Sequence, residues 1–198
     1  MTVVVFSAND GVHGPELWRT DGTAAGTYLL ADIDPGAGGS NLTDFVVDDG
    51  VAYFSAYDGT SNELWRSDGT VAGTFALSAP ADGADPTQIT AVGAKIFYLG
   101  DDTAHGAGLF VTDGAAGGTS FVASVAGVTD LTAFGNELAF NANGQIWVSD
   151  GTSAGTHALS VGASGNIVDQ FTVVPPPTQA PARIEMPRSS LAARPDSR

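Results

Sequence analysis

The chain has 198 residues, of which 26 are glycine, none is cysteine and only 15% are charged. This length suffices for one domain with a substantial core, and the glycine-rich, charge-poor composition is typical of short strands joined by many turns. The absence of cysteine excludes a disulfide framework, thiol catalysis and zinc sites built on thiolates.

Negative charge dominates residues 1–174, which hold 20 acidic and three basic side chains. Such a body repels phosphate backbones, so we do not expect nucleic acid as a partner. No apolar run reaches the roughly 18 residues of a membrane helix, so no membrane span is predicted. The first six residues are strand-like and lack the positive segment that opens a signal peptide, which favours a fragment of a longer chain.

One pattern occurs four times along the chain: an apolar pair, two residues, Asp-Gly-Thr, two residues and Gly-Thr, with Ala115 in place of the first threonine in the third copy. The copies run over residues 17–27, 64–74, 109–119 and 146–156, and their aspartates lie 47, 45 and 37 residues apart. This spacing is close to the roughly 40 to 50 residues of a four-stranded propeller blade. The sequence therefore predicts an all-β fold, a β-propeller-like array of four four-stranded antiparallel blades spanning residues 1–174.

The second copy shows the four strands most clearly. They are predicted over Asp44–Val47, Val51–Ala56, Glu63–Arg66 and Thr74–Leu77. Three dipeptides suited to tight hairpins join first and second strands: Asp49-Gly50, Gly93-Ala94 and Gly135-Asn136. The loop before the third strand varies, from Asn143-Gly144 in the fourth copy to Asn9–Pro15 in the first and Asp101–Ala107 in the third. Such variable loops often mark the binding face of a repeat protein.

The repeated aspartates have two interpretations. In the favoured one, the aspartate accepts backbone N–H bonds within a turn while the following glycine adopts a positive φ. In the other, the aspartates hold calcium, which requires several oxygen ligands around one ion. The calcium candidates are Asp21, Asp68, Asp113 and Asp150.

The aromatic residue of each apolar pair also has two interpretations. Packing between blades is favoured over a sugar-stacking platform, because the position is aromatic in every copy. The four residues are Trp18, Trp65, Phe110 and Trp147.

No catalytic constellation is evident. His13 and His105 occupy matching loop positions, which favours a loop role, and His157 begins a strand. The adjacent acids Asp48-Asp49 and Asp101-Asp102 would point to opposite faces of a strand, which is poor geometry for acid/base partnership. We therefore do not predict an enzyme.

Two further predictions concern the ends of the repeat domain. The first copy begins at its second strand, and Gln170–Val174 resembles a first strand that could close a four-bladed ring. The alternative is a piece of a larger ring. Residues 175–198, rich in proline and arginine, are predicted to be a disordered tail, with a solvated extension favoured over attachment through its four arginines.

The segments Glu16–Thr23 and Glu63–Thr70 carry the sequences ELWRTDGT and ELWRSDGT. On these motifs the chain resembles the bacterial ELWxxDGT repeat proteins across residues 2–174. The later copies depart from the motif, with Gly108 and Gln145 in place of the glutamate. The resemblance implies a secreted or cell-surface, propeller-like repeat protein, often part of a longer chain, and it implies no catalytic residues.

Three functional hypotheses follow. The first is a non-enzymatic extracellular module for binding, adhesion or scaffolding, whose acidic loops meet a protein or glycan. The second, compatible with the first, is a repeat domain stabilised by calcium. The third is a propeller-fold enzyme acting on glycans, which would require a convergent, non-repeated set of acidic, histidine or tyrosine side chains.

Overall fold

The computed structural model describes residues 2–79, 83–159 and 172–174. Within these ranges the chain forms strands and turns and no helix, which confirms the all-β class. The strands make four antiparallel sheets, one for each copy of the repeat, and each sheet is a simple meander in chain order. The predicted propeller-like array is therefore confirmed, although the first sheet has three strands among the described residues.

The strands have the following bounds. Sheet 1 contains β1 (Val4–Asn9), β2 (Pro15–Thr20) and β3 (Tyr28–Ala31). Sheet 2 contains β4 (Thr43–Asp48), β5 (Val51–Tyr57), β6 (Asn62–Ser67) and β7 (Phe75–Ala76). Sheet 3 contains β8 (Ala84–Val92), β9 (Lys95–Asp102), β10 (Gly106–Thr112) and β11 (Thr119–Ala123). Sheet 4 contains β12 (Val128–Phe134), β13 (Glu137–Ala142), β14 (Gln145–Ser149) and β15 (His157–Ala158).

The hairpins between first and second strands use positive φ, as predicted. Asp49 and Gly50 have φ of 44° and 79°, which is the pattern of a type I′ turn. Gly93 and Gly135 supply the positive φ in the other two hairpins, at 59° and 64° respectively. These turns match the right-handed twist of the strands that they join.

Three hydrophobic clusters hold the array together, each shared by two successive sheets. Between sheets 1 and 2 the buried residues include Leu17, Leu30 and Phe54. Between sheets 2 and 3 they include Leu64, Tyr98 and Phe110. Between sheets 3 and 4 they include Phe97, Leu109 and Phe140. The sheets therefore stack in chain order, and no cluster of the described residues joins sheet 4 to sheet 1.

Among the described residues, no strand pairs with the edge of β1 at which the other sheets have a first strand. A groove of about 600 Å³ runs along it, and its apolar lining includes Val3, Val5, Phe45 and Val47. Of the predicted closing strand, Gln170 and Phe171 lie outside the described residues, and Thr172–Val174 adopt no strand. The predicted tail, residues 175–198, also lies outside the described residues.

The meander gives each sheet two distinct ends, because successive connections of antiparallel strands alternate between ends. The turn end carries the first hairpins and the Asp-Gly turns that connect third and fourth strands. The loop end carries the variable loops between second and third strands and the links to the next sheet. Contacts confirm this grouping: the link residue Ser40 donates to Pro15 O at 2.9 Å and accepts from Tyr57 N at 2.7 Å.

Candidate binding face at the loop end

The four calcium-candidate aspartates lie at the turn end, one in each sheet. Asp68 Oδ1 accepts from the backbone N–H of Thr70 at 2.8 Å and from its hydroxyl at 2.6 Å. Asp21 and Asp150 make the same pair of bonds to Thr23 and Thr152. Asp113 keeps only the backbone bond, to Ala115 at 2.9 Å, because the hydroxyl is missing. The predicted turn chemistry is confirmed.

Each of these turns also explains its second glycine. A Cβ added to Gly73 would lie 2.2 Å from the carboxylate of Asp68, and one added to Gly26 would lie 2.0 Å from that of Asp21. The aspartate side chain therefore fills the space where a larger residue would project. This second glycine is required for close approach, unlike the glycine after each aspartate, which has a positive φ of 78–90°.

The turn hydrogen bonds lower the pKa of three of these aspartates, Asp21, Asp68 and Asp150. The largest cause in each is the threonine hydroxyl, followed by the threonine N–H, both of which favour the charged carboxylate. Within the described ranges, no group of three or more His, Asp or Glu side chains is placed to hold a metal ion. The calcium hypothesis stays a prediction.

The repeated aromatic residues serve packing between sheets. Trp65 packs against the cluster of sheets 1 and 2, Phe110 lies within that of sheets 2 and 3, and Trp147 packs against that of sheets 3 and 4. This confirms the interpretation favoured for these three positions. Trp18 is the exception, since it lies outside all three clusters.

The basic side chains of the described residues all lie at the turn end and bridge successive sheets. Arg19 Nη1 donates to the Gly69 carbonyl at 2.9 Å, and Arg66 Nη1 donates to the Gly114 carbonyl at 2.8 Å. In sheet 3, Lys95 Nζ takes over this role and donates to the Asp150 carbonyl at 2.5 Å. We call these three contacts the sheet clamps.

The loop end is acidic, and no lysine or arginine of the described part of the chain reaches it. Its carboxylates come from loops, links and the starts of first strands: Asp10, Asp32, Asp34, Asp44, Asp58, Asp85, Asp101, Asp102 and Asp130. Uncompensated negative charge on one face raises the local concentration of cationic partners. Sequence reasoning predicted a binding face here from the variable loops, and the structure adds its one-sided charge.

Several loop-end aspartates order their own loops. Asp10 Oδ1 accepts from the N–H groups of Val12 and His13, and Asp102 Oδ1 accepts from those of Ala104 and His105. The second carboxylate oxygen of each contacts the histidine Nδ1, at 2.7 Å in the first loop and 2.8 Å in the third. The loop role predicted for these two histidines is confirmed.

These contacts shift the pKa values of the first pair. The backbone N–H of His13, followed by its ring, lowers the pKa of Asp10 to about 2. The Asp10 carboxylate raises the pKa of His13 in return. The third-copy histidine also stacks on Phe121, with ring centroids 4.0 Å apart.

The motif glutamates are buried structural groups near the loop end. Glu16 accepts from the backbone N–H groups of Ile33 and Asp34, at 2.8 and 3.3 Å. Glu63 instead accepts from the hydroxyls of Ser61 and Ser78, at 2.8 and 2.7 Å, and burial raises its pKa. Gly108 replaces glutamate in sheet 3, where the ring of Phe121 occupies the space beside its α-carbon.

Two depressions open at the loop end. The larger, about 470 Å³, lies between sheets 3 and 4 and is mainly apolar, with Leu99, Ala107, Val125 and Val128 among its lining residues. The smaller, about 180 Å³, lies between sheets 2 and 3, where Asn62 donates to Asp85 Oδ1 at 2.9 Å.

Polar residues with positive φ occupy the first strands near this end, a feature that sequence reasoning missed. Asp44, Gln88 and Asp130 have φ of 54°, 52° and 59°, and the register of each strand is irregular beside them. All three residues stand at the same distance in sequence from the first hairpin of their sheet. This spacing could have predicted the positive φ from sequence, since aspartate tolerates this backbone region better than most residues.

The adjacent acids at the end of β9 differ in exposure. Asp101 is exposed whereas Asp102 is buried against its loop, which confirms that adjacent acids of this strand point to opposite faces. The two histidine loops belong to sheets 1 and 3, with sheet 2 between them.

Comparisons with known proteins inform the fold alone. No protein-family model and no curated protein matches the chain. Among solved structures, that of a puromycin hydrolase S511A mutant complexed with PGG is similar, with a TM-score of 0.50 and 16% identity. The match covers 81% of this chain and 28% of that one, so the chain spans less than a third of that protein. The described residues contain no helix long and apolar enough to cross a membrane.

Proposed function

We propose that this protein is a non-enzymatic repeat module that binds a partner through its loop end. The observation that carries the proposal is that this face is acidic and that no lysine or arginine of the described residues lies on it. Nine carboxylates lie there, while the three basic side chains of the described residues are all engaged at the opposite end. Complementary charge across an interface steers encounter and selects partners.

The favoured partner is a protein segment rich in lysine or arginine. Nucleic acid and anionic glycans share the charge of this face and would be repelled. The apolar depression between sheets 3 and 4 adjoins the acidic loops, so it can take an apolar side chain that flanks the cationic ones. We infer an extracellular or cell-surface setting from the ELWxxDGT resemblance alone.

The fold likeness to a hydrolase does not support an enzymatic proposal, because likeness at 16% identity concerns architecture and not chemistry. Calcium stabilisation is compatible with the proposed role and is tested separately below.

The proposal is tested with a fluorescent decalysine peptide titrated against the full chain at low and high salt. Asp32 and Asp101 are exposed loop-end residues, so D32N/D101N removes two charges without breaking a turn. We expect this variant to bind about two- to thirtyfold more weakly, from roughly 0.2–1 kcal/mol for each of the two exposed charge pairs. Binding should weaken with salt in the wild type.

The matched control is D49N/E137Q, which removes the same charge at the turn end. Asn tolerates the positive φ of Asp49, so the hairpin is retained. Equal weakening by both variants would show that only the net charge of the molecule attracts the peptide, and the loop-end proposal would be rejected.

A further inference from the structure

The links between successive sheets become shorter along the chain. Each link runs from the residue beside the motif leucine to a residue with positive φ that stands eight positions before the next first hairpin. The three distances are 10, 7 and 4 residues, from Ala31 to Asn41, from Ser78 to Asp85 and from Ala123 to Gly127. The link between sheets 3 and 4 is therefore the shortest.

The long first link covers the loop end between sheets 1 and 2. Ser40 is 0% exposed, and it donates its N–H to Pro15 O at 2.9 Å and accepts from Tyr57 N at 2.7 Å. A Cβ added to Gly39 would overlap the ring of Pro15, and one added to Gly14 would lie 2.8 Å from Gly39 N. Residues 37–40 therefore lie directly on the start of β2.

Sheet 3 has the same surface without this cover. Gly106 and Ala107 stand at the positions of Gly14 and Pro15, after the matching histidine, and the two glycines have φ of 70° and 76°. A Cβ added to Gly106 would meet no atom within 4 Å. The short link leaves this surface uncovered, and the depression of about 470 Å³ lies between Ala107 and the link.

The depression also offers two backbone donors. In sheet 1, the N–H groups of two link residues donate to Glu16 at 2.8 and 3.3 Å. Their counterparts in sheet 3 belong to Val125 and Ala126, which line the depression. Gly108 replaces the glutamate there, so no motif carboxylate accepts from them. An occupant that presents hydrogen-bond acceptors to these groups is therefore favoured.

Carboxylates flank the depression. Asp101 lies opposite Ala107 in the register of β9 and β10, and Asp130 follows the lining residue Val128 by two positions. Both aspartates are exposed. They repel an anionic acceptor and attract lysine or arginine. Neutral peptide carbonyls between cationic residues therefore suit this site best.

We propose that the depression between sheets 3 and 4 binds a short segment of small residues from the partner, in the place that residues 37–40 occupy between sheets 1 and 2. Carbonyls of this segment accept from Val125 and Ala126, and flanking lysine or arginine contacts Asp101 and Asp130. The inference rests on the proposed function and identifies the part of the partner that enters the loop end. The template for the occupant lies within this chain, and every residue of the short link is described without filling the space.

Two peptides of equal length and charge test the inference on the full chain. KKGAGGSKK carries the sequence of residues 36–40 between lysine pairs. KKQQQQQKK replaces that segment with long polar side chains, which lose rotamer freedom and leave amides unpaired against the apolar lining. Fluorescence anisotropy at low salt measures both. We expect the wild type to bind the first peptide about tenfold more tightly, a difference typical of a modest packing preference.

Two variants close the depression. A107F fills it from an exposed position, so the fold should be retained. The second replaces Ser124–Gly127 with Asp32–Asn41, which supplies the cover that this chain already uses between sheets 1 and 2. We expect both to bind the two peptides equally. The matched control is A133F, the same change at an exposed position near the turn end of sheet 4, which should keep the preference.

Equal binding of the two peptides by the wild type would overturn the inference. So would a preference that persists in both closing variants, or one that A133F also removes. If A107F lowers the melting temperature by several degrees and the wild type shows no preference, residues of this same chain fill the depression, which rejects the partner segment. Decalysine binding by D32N/D101N and D49N/E137Q tests the acidic face alone, so failure of the proposed function is seen separately.

Discussion

Arg66 donates to the carbonyl of Gly114 across the boundary between sheets 2 and 3, at 2.8 Å. The bond joins two copies of the repeat, through residues that lie 48 positions apart in sequence. It is one of three such contacts, and they make the order of the sheets chemically specific in addition to the apolar cores.

Substituting this arginine should destabilise the array. We expect R66A to lower the free energy of unfolding by about 1–2 kcal/mol, since a charged hydrogen bond and the packing over Phe75 are lost at a half-buried site. R66K should recover part of the loss, and urea unfolding measures both. If R66A matches the wild type, the clamps do not hold the sheets together.

The second glycine of each turn should tolerate no side chain. We expect G73A to lower the free energy of unfolding by about 1–3 kcal/mol, because the added Cβ would overlap the carboxylate of Asp68. The double variant D68A/G73A relieves this overlap, so its cost should be smaller than the sum of the single costs. Additive costs in thermal or urea unfolding would contradict the steric explanation.

The two motif glutamates should respond differently to amide substitution. Glu16 accepts from two backbone N–H groups. In E16Q the side-chain NH₂ group would face one of these N–H donors, so we expect the free energy of unfolding to fall by about 1–3 kcal/mol. The partners of Glu63 are hydroxyls, which can accept as well as donate.

For E63Q we therefore expect stability at pH 7 equal to or above that of the wild type. Burial raises the pKa of Glu63, so its ionisation in the folded state weakens folding as pH rises above 4.5. The difference in the free energy of unfolding between E63Q and the wild type should shrink towards pH 4. Parallel urea titrations at pH 4 and pH 7 measure it, and a large loss for E63Q at pH 7 would contradict this assignment.

Acid should weaken the turns. The folded-state pKa values of Asp10, Asp21, Asp68 and Asp150 lie below the ordinary value of 3.8, so their contribution is complete above that pH and is lost as pH falls through the folded-state values. The contribution of Asp10 to stability is therefore lost as the pH falls from 3.8 to about 2.

Carboxyl NMR titration should find Asp10 near 2 in the wild type. In H13Q this pKa should rise only in part, because the backbone N–H of residue 13 remains. Calorimetry should show the melting temperature falling over the same pH range, and a flat profile there would contradict the role of these turns.

Calcium can be tested directly on the full chain. If the turn aspartates hold the ion, a chelator lowers the melting temperature and D68N reduces this response, since it removes one of the four candidate ligands. The turn role alone leaves the midpoint unchanged by chelator while D68N still lowers it, since Asp68 Oδ1 accepts two bonds within its turn.

The local structure was largely predictable from sequence because it is governed by short-range chemistry. Asp49-Gly50 indicated its hairpin, Asp68-Gly69 its turn, and the apolar run around Phe54 its buried strand. The bounds predicted for the second-copy strands agree with the structure to within one residue at each end. The fourth strand, Phe75–Ala76, is shorter than predicted.

The relations between copies were not predictable in the same way. The partner of Arg66 depends on how sheet 3 stacks on sheet 2, and nothing in a single repeat encodes that. One signal was nevertheless present: Arg19 is followed nine residues later by Tyr28, and Arg66 by Phe75. In the later copies, Val111 and Val148 are paired with Ser120 and His157, so arginine and ring are lost together.

Because the three cores are separate, we expect the stability of the chain to follow a one-dimensional, nearest-neighbour model. Each sheet shares apolar surface with its immediate neighbours, so stability is a sum of sheet and nearest-neighbour contributions. Loss of sheet 4 removes one core and leaves two intact, whereas disruption of sheet 2 removes two cores at once. Unfolding is therefore expected to start at the terminal sheet without a clamp donor and to proceed stepwise, with hydrogen exchange fastest in β15 and slowest in β5 and β9.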